Sequence, residues 1–256
     1  MTARPVALVT GSSRGIGRAT ALLLAERGYD VAIHYRREAE AAEAAANAAR
    51  AGGAEAIVVH GDLQDADVPA RLVGEVADRF GHLDVLVANA ASTAFKPLTE
   101  VTARHLDLTM RTVVQSFLLL SQAAVPLMEG RSGSIIGVSG IDTIRVVGNH
   151  GLLAAAKAAL EQLVRYLAVE LAPHDIAVNS VLPGFVATES AKLWAETSHP
   201  GGWESFSADQ GVPVPAGRIA APEEIAEIIA FLASPAGRYI RGHILVIDGG
   251  VMLPFV

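Results

Sequence analysis

The regular alternation of short β-branched runs with longer alanine- and leucine-rich segments is the feature that most restricts the fold of this chain. Seven runs have the length and composition of buried strands: Val6–Thr10, Val31–Tyr35, Ala56–His60, Val85–Ala88, Ser134–Val138, Ala177–Leu182 and Ile244–Ile247. Helical spacing is found in Ile16–Arg27, Glu38–Ala51, Ala66–Phe80, Ala103–Met128, Leu152–Leu171 and Pro222–Ala233. Because parallel strands need crossover helices, the alternation predicts one α/β domain over residues 1–256. Its doubly wound parallel sheet has about seven strands and helices on both faces.

Composition excludes several classes of protein. With 51% hydrophobic and 18% charged residues, the chain is too apolar to be disordered. The absence of cysteine excludes a disulfide scaffold, a cysteine-ligated metal site and thiol catalysis. The histidines lack metal-ligand spacing, so we expect no metal. A net charge of -7 argues against nucleic acid or anionic membrane as the partner, and favours a small-molecule substrate.

The longest uncharged run, Thr112 to Met128, tests whether the chain spans a membrane. It includes Gln115, Ser116, Ser121, Gln122 and Pro126. It is also shorter than the ~20 apolar residues that a span needs. We therefore predict a buried helix and no membrane association. Residues 1–5 lead directly into the first strand, which predicts no signal peptide and a cytoplasmic protein.

A glycine-rich turn joins the first strand to the first helix. Residues 10–17 read Thr-Gly-Ser-Ser-Arg-Gly-Ile-Gly, with the glycines spaced Gly-x-x-x-Gly-x-Gly. Such glycines let the backbone approach a pyrophosphate, and a helix N-terminus adds free N–H groups and partial positive charge. The turn predicts a nucleotide site formed by Gly11, Ser13, Arg14, Gly15, Ile16 and Gly17.

The end of the second strand indicates which nucleotide is bound. An acid there would hold the ribose hydroxyls of NAD, but this strand ends in Tyr35, Arg36 and Arg37, with no acid before Glu38. Arg14 adds a further guanidinium group, and guanidinium groups bind phosphate bidentately. We therefore predict NADP(H) as the cofactor. The alternative is that Arg36 and Arg37 are ordinary solvated charges.

Over nearly its whole length the chain resembles the short-chain dehydrogenase/reductase family, whose members have a Rossmann-type fold. The matching motifs are residues 10–17, 60–63, 84–90, 157–160, 179–188 and 247–250. The resemblance implies that Asp62 contacts adenine, that Asn89 lines the adenosine side, and that Leu63 and Ala90 complete this half of the site. It implies that Pro183, Gly184, Phe185, Val186 and Thr188 flank the nicotinamide and that Lys157 holds its ribose. It also implies a homotetramer or homodimer.

The catalytic positions depart from the family pattern. The tyrosine usually found four residues before the lysine is replaced by Leu153, the serine position falls on Gly140, and the asparagine position falls near Thr112. His150 stands seven residues before Lys157, the distance at which the similar enoyl-acyl carrier protein reductases place their tyrosine. We therefore predict Lys157, His150 and Ser139 as the catalytic set. The alternative is that His150 is an ordinary loop residue.

The segment from Val186 to Pro215 interrupts the alternation with a long loop that contains Trp194, Trp203 and Phe206. Long loops in compact domains are usually functional, so we predict a substrate lid rather than a surface flap. The leading interpretation is an NADPH-dependent reductase of a carbonyl or conjugated enone on an apolar, acyl-carrier- or polyketide-like substrate. Two alternatives stay open: a non-redox cyclase, dehydratase or isomerase, and a catalytically silent NADP-binding subunit.

Overall fold

The sheet is entirely parallel. The computed structural model describes residues 4–209 and 214–253. The strands are β1 (Val6–Val9), β2 (Asp30–Tyr35), β3 (Ala56–His60), β4 (Val85–Ala88), β5 (Ser134–Val138), β6 (Ala177–Pro183) and β7 (Ile244–Ile247), in the order β3-β2-β1-β4-β5-β6-β7. Each predicted strand is present within one residue at either end, and the predicted doubly wound fold is confirmed.

The helices follow the prediction except in two places. They are α1 (Gly15–Glu26), α2 (Ala39–Ala51), α3 (Val68–Phe80), α4 (Ala103–Met110), α5 (Ser116–Met128), α6 (Gly151–Glu170), α7 (Glu189–Ser198), α8 (Gly202–Asp209) and α9 (Pro222–Ala233). A π-helical turn over Arg111–Gln115 separates α4 from α5 within one predicted helix. The predicted loop 186–215 contains α7 and α8. The hydroxyl of Thr188 accepts from the N–H of Ala191 and so starts α7, a local cap that the loop prediction missed.

The two faces of the sheet carry separate hydrophobic layers because successive strand residues point to opposite sides. On one face, Leu8, Leu86 and Ile135 pack with residues of α3, α5 and α6. On the other, Val9, Ile33 and Val87 pack with residues of α1, α2 and α9. The helix layers thus bury both faces, as a parallel sheet requires.

The uncharged segment is part of this core. The helical run Ala103–Met128 is long and apolar enough to cross a membrane by length and composition. In the structure, however, Phe117, Leu120, Ala124 and Met128 have 0% exposure within the layer beside α3 and α6. The run is therefore a core helix, as predicted.

Strand order fixes where a ligand can bind. The chain winds from β1 outward through β2 and β3, and then returns to place β4 on the other side of β1. Ala7 pairs with Val31 on one side and with Val85 on the other. The connections after β1 and β4 therefore diverge and leave a crevice at the carboxyl ends of these strands, which is where open α/β sheets bind ligands.

Candidate active site

The glycine turn after β1 is held closed by close backbone contacts. A Cβ atom on Gly17 would lie 2.4 Å from the carbonyl oxygen of Gly11, so no other residue fits there. The side-chain amide of Asn89, which follows β4, donates to the carbonyls of Thr10 (2.9 Å) and Gly11 (3.2 Å). Asn89 therefore joins the two strands at the crevice, and the start of α1 faces the space above the turn.

A cavity of about 330 Å³ lies over this turn. Its lining contains thirteen of the predicted cofactor residues: Gly11, Ser13, Arg14, Gly15, Ile16, Tyr35, Arg36, Arg37, Asp62, Leu63, Asn89, Ala90 and Thr188. Thr112, from the π-helical turn, lines it as well. The helix N-terminus and three arginines provide the donors that phosphate groups need, so the chemistry of this cavity fits a phosphorylated dinucleotide. We refer to it as the cofactor cavity.

His34 supports the floor of the cofactor cavity, a role that the sequence did not indicate. Its side chain is buried, and Nδ1 accepts a hydrogen bond from the N–H of Gly11 (3.0 Å). Nε2 donates to the carbonyl oxygen of Gly61 (3.0 Å). Both contacts are satisfied only by the neutral ring. Burial lowers the pKa of His34 to about 4, which keeps the ring neutral at neutral pH.

We expect His34 to make the protein less stable in acid. The pKa of about 4 in the folded state lies below the unfolded value of 6.5, so protons bind preferentially to the unfolded chain as the pH falls between these values. The free energy of unfolding should fall by roughly 2 kcal/mol from this residue between about pH 7 and pH 5. Urea unfolding of wild type and His34→Leu at both pH values measures the loss. His243→Gln, at an exposed histidine, should keep the wild-type dependence, and an equal dependence in His34→Leu would contradict the prediction.

A second cavity, of about 170 Å³, adjoins the first. Its lining shares Ile16, Thr188 and Ser190 with the cofactor cavity. All the remaining predicted residues except Gly17 line it: Ser139, His150, Lys157, Pro183, Gly184, Phe185 and Val186. Leu153, at the family's tyrosine position, lines it too. The structure therefore brings the predicted catalytic and nicotinamide-flanking residues together, and we call this space the substrate cavity.

Lys157 is buried on α6. Its Nζ donates to the carbonyl oxygen of Val138, at the end of β5. Burial lowers the pKa of Lys157 to about 8, although the carboxylates of Asp142 and Glu161 act in the opposite direction. The side chain therefore carries an ammonium group at neutral pH, fixed at the edge of the substrate cavity.

Ser139 has a different partner from the one predicted. Its hydroxyl donates to Oε1 of Glu161 (2.5 Å), and the hydroxyl of Thr143 donates to the same atom (2.8 Å). The expectation that Ser139 directs its hydrogen at the substrate oxygen does not match this arrangement, because the buried Glu161 carboxylate takes that hydrogen bond. This pairing could not be predicted, because helical periodicity does not distinguish a buried Glu161 from a solvated charge.

His150 occupies the turn immediately before α6. Its ring is held at Nδ1 by Oδ2 of Asp142 (3.1 Å), and it stacks on Phe95 with ring centroids 5.0 Å apart. Trp194 approaches it edge-on at 5.4 Å. Nε2 is buried and has no hydrogen-bond partner within residues 4–209 and 214–253. One ring nitrogen is thus fixed by an acid that the sequence reasoning missed, and the other is left for a ligand.

Trp194, from the predicted lid, and Phe185, which precedes the lid, form an aromatic wall of the substrate cavity. The indole N–H of Trp194 donates to the carbonyl oxygen of Gly148 (2.9 Å), which fixes α7 against the turn before α6. Trp194 and Phe206 are buried and pack edge to face, with Phe185 against both. The cavity therefore offers an apolar wall opposite a small number of polar groups, an arrangement typical of sites for small molecules.

The fold and the two cavities define an α/β dinucleotide-binding protein with an adjoining apolar ligand site. Residues 11–252 match the family model described as enoyl-(acyl carrier protein) reductase. The chain belongs to the short-chain dehydrogenase/reductase family, a family of oxidoreductases, and the predicted resemblance is confirmed.

Relatives match along nearly the whole chain. It is 37% identical over 252 residues to 1-cyclohexenylcarbonyl-CoA reductase from Streptomyces collinus, covering 98% of this chain and 88% of the relative. It is 35% identical to the 3-oxoacyl-[acyl-carrier-protein] reductase FabG from Staphylococcus aureus, covering 96% and 98%. A solved structure of a short-chain dehydrogenase from Burkholderia cenocepacia in complex with NADP superimposes with a TM-score of 0.86 at 35% identity, covering 97% of both chains.

Proposed function

We propose that this protein is an NADPH-dependent reductase of a carbonyl or conjugated enone, with His150 as the acid in place of tyrosine. The observation that carries the proposal is the meeting of Lys157 and His150 in one apolar cavity that opens onto the cofactor cavity. The relatives include reductases of an unsaturated acyl-CoA and of an oxoacyl group on a carrier protein, which supports an apolar acyl substrate.

The cofactor cavity supports NADP(H). The similar Burkholderia structure contains NADP, and the arginines at the end of β2 stand where a 2′-phosphate would be held. Arg36 is half-buried, and its Nη1 lies 3.9 Å from Oδ2 of Asp62, a weak ion pair that leaves most of its donors to a ligand. Arg37 is exposed at the same rim. When bound, the cofactor supplies a hydride to the substrate.

The chain's own residues stabilise the charge that develops on the substrate and orient the cofactor and the substrate. The Lys157 ammonium, held by the Val138 carbonyl, is placed to bind the nicotinamide ribose and to stabilise negative charge nearby. His150 gives a proton to the substrate atom that becomes negative, and the aromatic wall excludes water. Ser139 orders the base of the cavity through Glu161. Residues 186–215 act as the substrate lid through α7 and α8; residues 210–213 lie outside the described residues.

We expect the arginines to determine cofactor preference. In Arg36→Ala/Arg37→Ala, the dissociation constant for NADPH should rise by about 10²-fold, because each charge-assisted bond to a phosphate contributes roughly 1.5–3 kcal/mol. The NADH constant should change by less than about threefold, since NADH lacks the 2′-phosphate. Fluorescence titration measures both constants. Arg79→Ala, at an exposed arginine on α3, is the control, and equal losses for the two cofactors would contradict the assignment.

A direct assay tests the proposed function. The purified protein is incubated with NADPH and a panel of apolar ketones, quinones, conjugated enones, and oxoacyl and enoyl thioesters, and nicotinamide absorbance is followed. Consumption of NADPH with stoichiometric reduced product supports the proposal. No consumption with any member of the panel, while NADPH still binds, would overturn it.

The loss of tyrosine favours a second candidate, a non-redox isomerase or dehydratase. Leu153 has no proton to give, whereas an imidazole beside a carboxylate can both remove and return a proton. Product formation at constant nicotinamide absorbance in the same assay would identify this function. Full NADPH binding without any turnover would identify a silent binding subunit.

We propose that residues 1–256 form one domain of a cytoplasmic protein. We also propose that this domain associates with further copies of itself. Exposed apolar side chains support association: Leu106 on α4 is 48% exposed, and Tyr166 and Val169 on α6 are 63% and 75% exposed. The family resemblance implies a tetramer that pairs the long helices near residues 103–128 and 152–171, and these exposed side chains lie on those two helices. Neighbouring exposed apolar residues are typical of surfaces between protein chains. A homotetramer or a homodimer would cover them.

A further inference from the structure

We propose that Asp142 is the positioning residue for His150, and that this carboxylate–imidazole pair replaces the serine and tyrosine of related enzymes as one unit. The inference rests on the proposed function, because it assigns the origin of the proton that accompanies reduction. It concerns three positions at once: Gly140, Asp142 and His150. Gly140 departs from the family pattern, and Asp142 and His150 lie outside the motifs that carry the family resemblance.

The first observation is the geometry of the pair. Oδ2 of Asp142 lies 3.1 Å from Nδ1 of His150, and the Asp142 side chain is only 5% exposed. A buried carboxylate needs donors, and the Nδ1–H group provides one. This contact assigns the hydrogen to Nδ1 and directs Nε2 away from the carboxylate. Phe95 and Trp194 contact the ring, so it is held in this orientation.

The second observation is that the pair uses space a serine would need. A Cβ atom on Gly140 would lie 2.6 Å from Oδ1 of Asp142. Any side chain at position 140 therefore displaces the carboxylate that holds His150. The loss of serine at Gly140 and the gain of the Asp142–His150 contact are thus one structural change. Leu153 completes the exchange, because it fills an apolar part of the cavity wall at the former tyrosine position.

The third observation is the unpartnered nitrogen. Nε2 of His150 is buried and has no hydrogen-bond partner in the described part of the chain, and the residue lines the substrate cavity. Buried polar atoms in native proteins are nearly always satisfied, so such an atom points to a missing ligand. The reacting form is therefore the imidazolium, which carries hydrogens on both ring nitrogens, with Nδ1–H shared with Asp142. In the proposed step the Nε2–H bond breaks, its electron pair stays on Nε2, and the proton forms a bond to the negatively charged substrate atom. The ring ends neutral, with its other hydrogen still shared with Asp142.

The competing explanation gives Asp142 a purely structural or electrostatic role. Its carboxylate also acts on Lys157, where it counteracts the lowering of the lysine pKa by burial. If that were its only role, removing the charge would weaken cofactor binding through Lys157 and leave the His150 ring unchanged. A positioning role therefore predicts a change in kcat and in the His150 ring, whereas a purely structural or electrostatic role predicts a change in cofactor binding.

The test is Asp142→Asn, studied in the full-length protein with NADPH. We expect kcat to fall by at least about 10²-fold, the lower end of the contribution of positioned proton transfer, with the KM for NADPH within about threefold of wild type. Nitrogen-15 NMR of histidine-labelled protein should show an exchange-protected Nδ1–H proton on His150 that is absent in Asp142→Asn. Asp107→Asn, at an exposed carboxylate paired with Arg111 on α4, is the matched control.

Gly140→Ala tests the same inference without touching the acid. In the otherwise wild-type protein it should lower kcat by about as much as Asp142→Asn. In an Asp142→Ala background it should lower kcat by less than about a further twofold, because the effects of residues that act as a unit are not additive. Unchanged kcat in Asp142→Asn, additive effects in the double variant, or no Nδ1–H proton in wild type would each overturn the inference. A wild type that binds NADPH, shows the Nδ1–H proton and reduces nothing would instead overturn the proposed function alone.

Discussion

His150→Phe should lower kcat for NADPH-dependent reduction by about 10²–10⁴-fold, the range that a positioned acid contributes, with NADPH affinity unchanged. Phenylalanine keeps the ring between Phe95 and Trp194 and removes both nitrogens, so the packing of the cavity wall is retained. The variant leaves the buried Asp142 carboxylate without this donor, so its melting temperature should fall, and thermal unfolding shows whether it still folds cooperatively. Single-turnover absorbance measurements and a separate NADPH titration distinguish the chemical step from binding.

The matched control for this variant is His174→Phe. The His174 side chain is 40% exposed, pairs with Glu129 and lines neither cavity, so its replacement should leave kcat within about twofold. A His150→Phe enzyme with the wild-type rate would remove His150 from the chemistry and leave Lys157 as the principal polar group of the site. The loop-residue interpretation of His150 would then be correct.

Lys157→Met should reduce kcat/KM by about 10²–10³-fold, the cost of losing a positioned charged donor. Unlike His150→Phe, it should also weaken NADPH binding, because the ammonium is placed to hold the nicotinamide ribose. Methionine matches the unbranched stem but leaves the carbonyl of Val138 without its donor, so the melting temperature should fall as well. Steady-state kinetics and thermal unfolding of the same preparation measure both effects.

The ionisation of Lys157 gives the wild type a characteristic pH dependence. With a pKa of about 8, the ammonium group is lost as the pH rises through that value, so kcat/KM should decline on the alkaline side. Lys96→Met, at an exposed lysine, should keep the wild-type rate and the alkaline decline. A Lys157→Met protein that binds and uses NADPH normally would show that the ammonium only satisfies the Val138 carbonyl.

The fold and the cofactor cavity could be predicted from the sequence because their determinants are local. Strand and helix periodicity placed each strand within one residue of its observed ends. The glycine turn could be placed directly after β1, because glycines such as Gly11 and Gly17 let the backbone approach a phosphate group at the start of a helix. His34 escaped prediction because its two hydrogen bonds reach separate loops that only the sheet brings together.

By itself, then, the sequence determined the doubly wound α/β fold class, the position of the dinucleotide site and the choice of Lys157 and His150 as candidates. Tertiary structure alone decided the partners of the polar groups at the centre of the site. Asp142 reaches His150 only because the turn after β5 folds back on the start of α6, and Ser139 is directed at Glu161 by the packing of α6 against the sheet. Hydrogen-bond partners depend on distances of a few tenths of an ångström between distant segments, and residue spacing carries no such information.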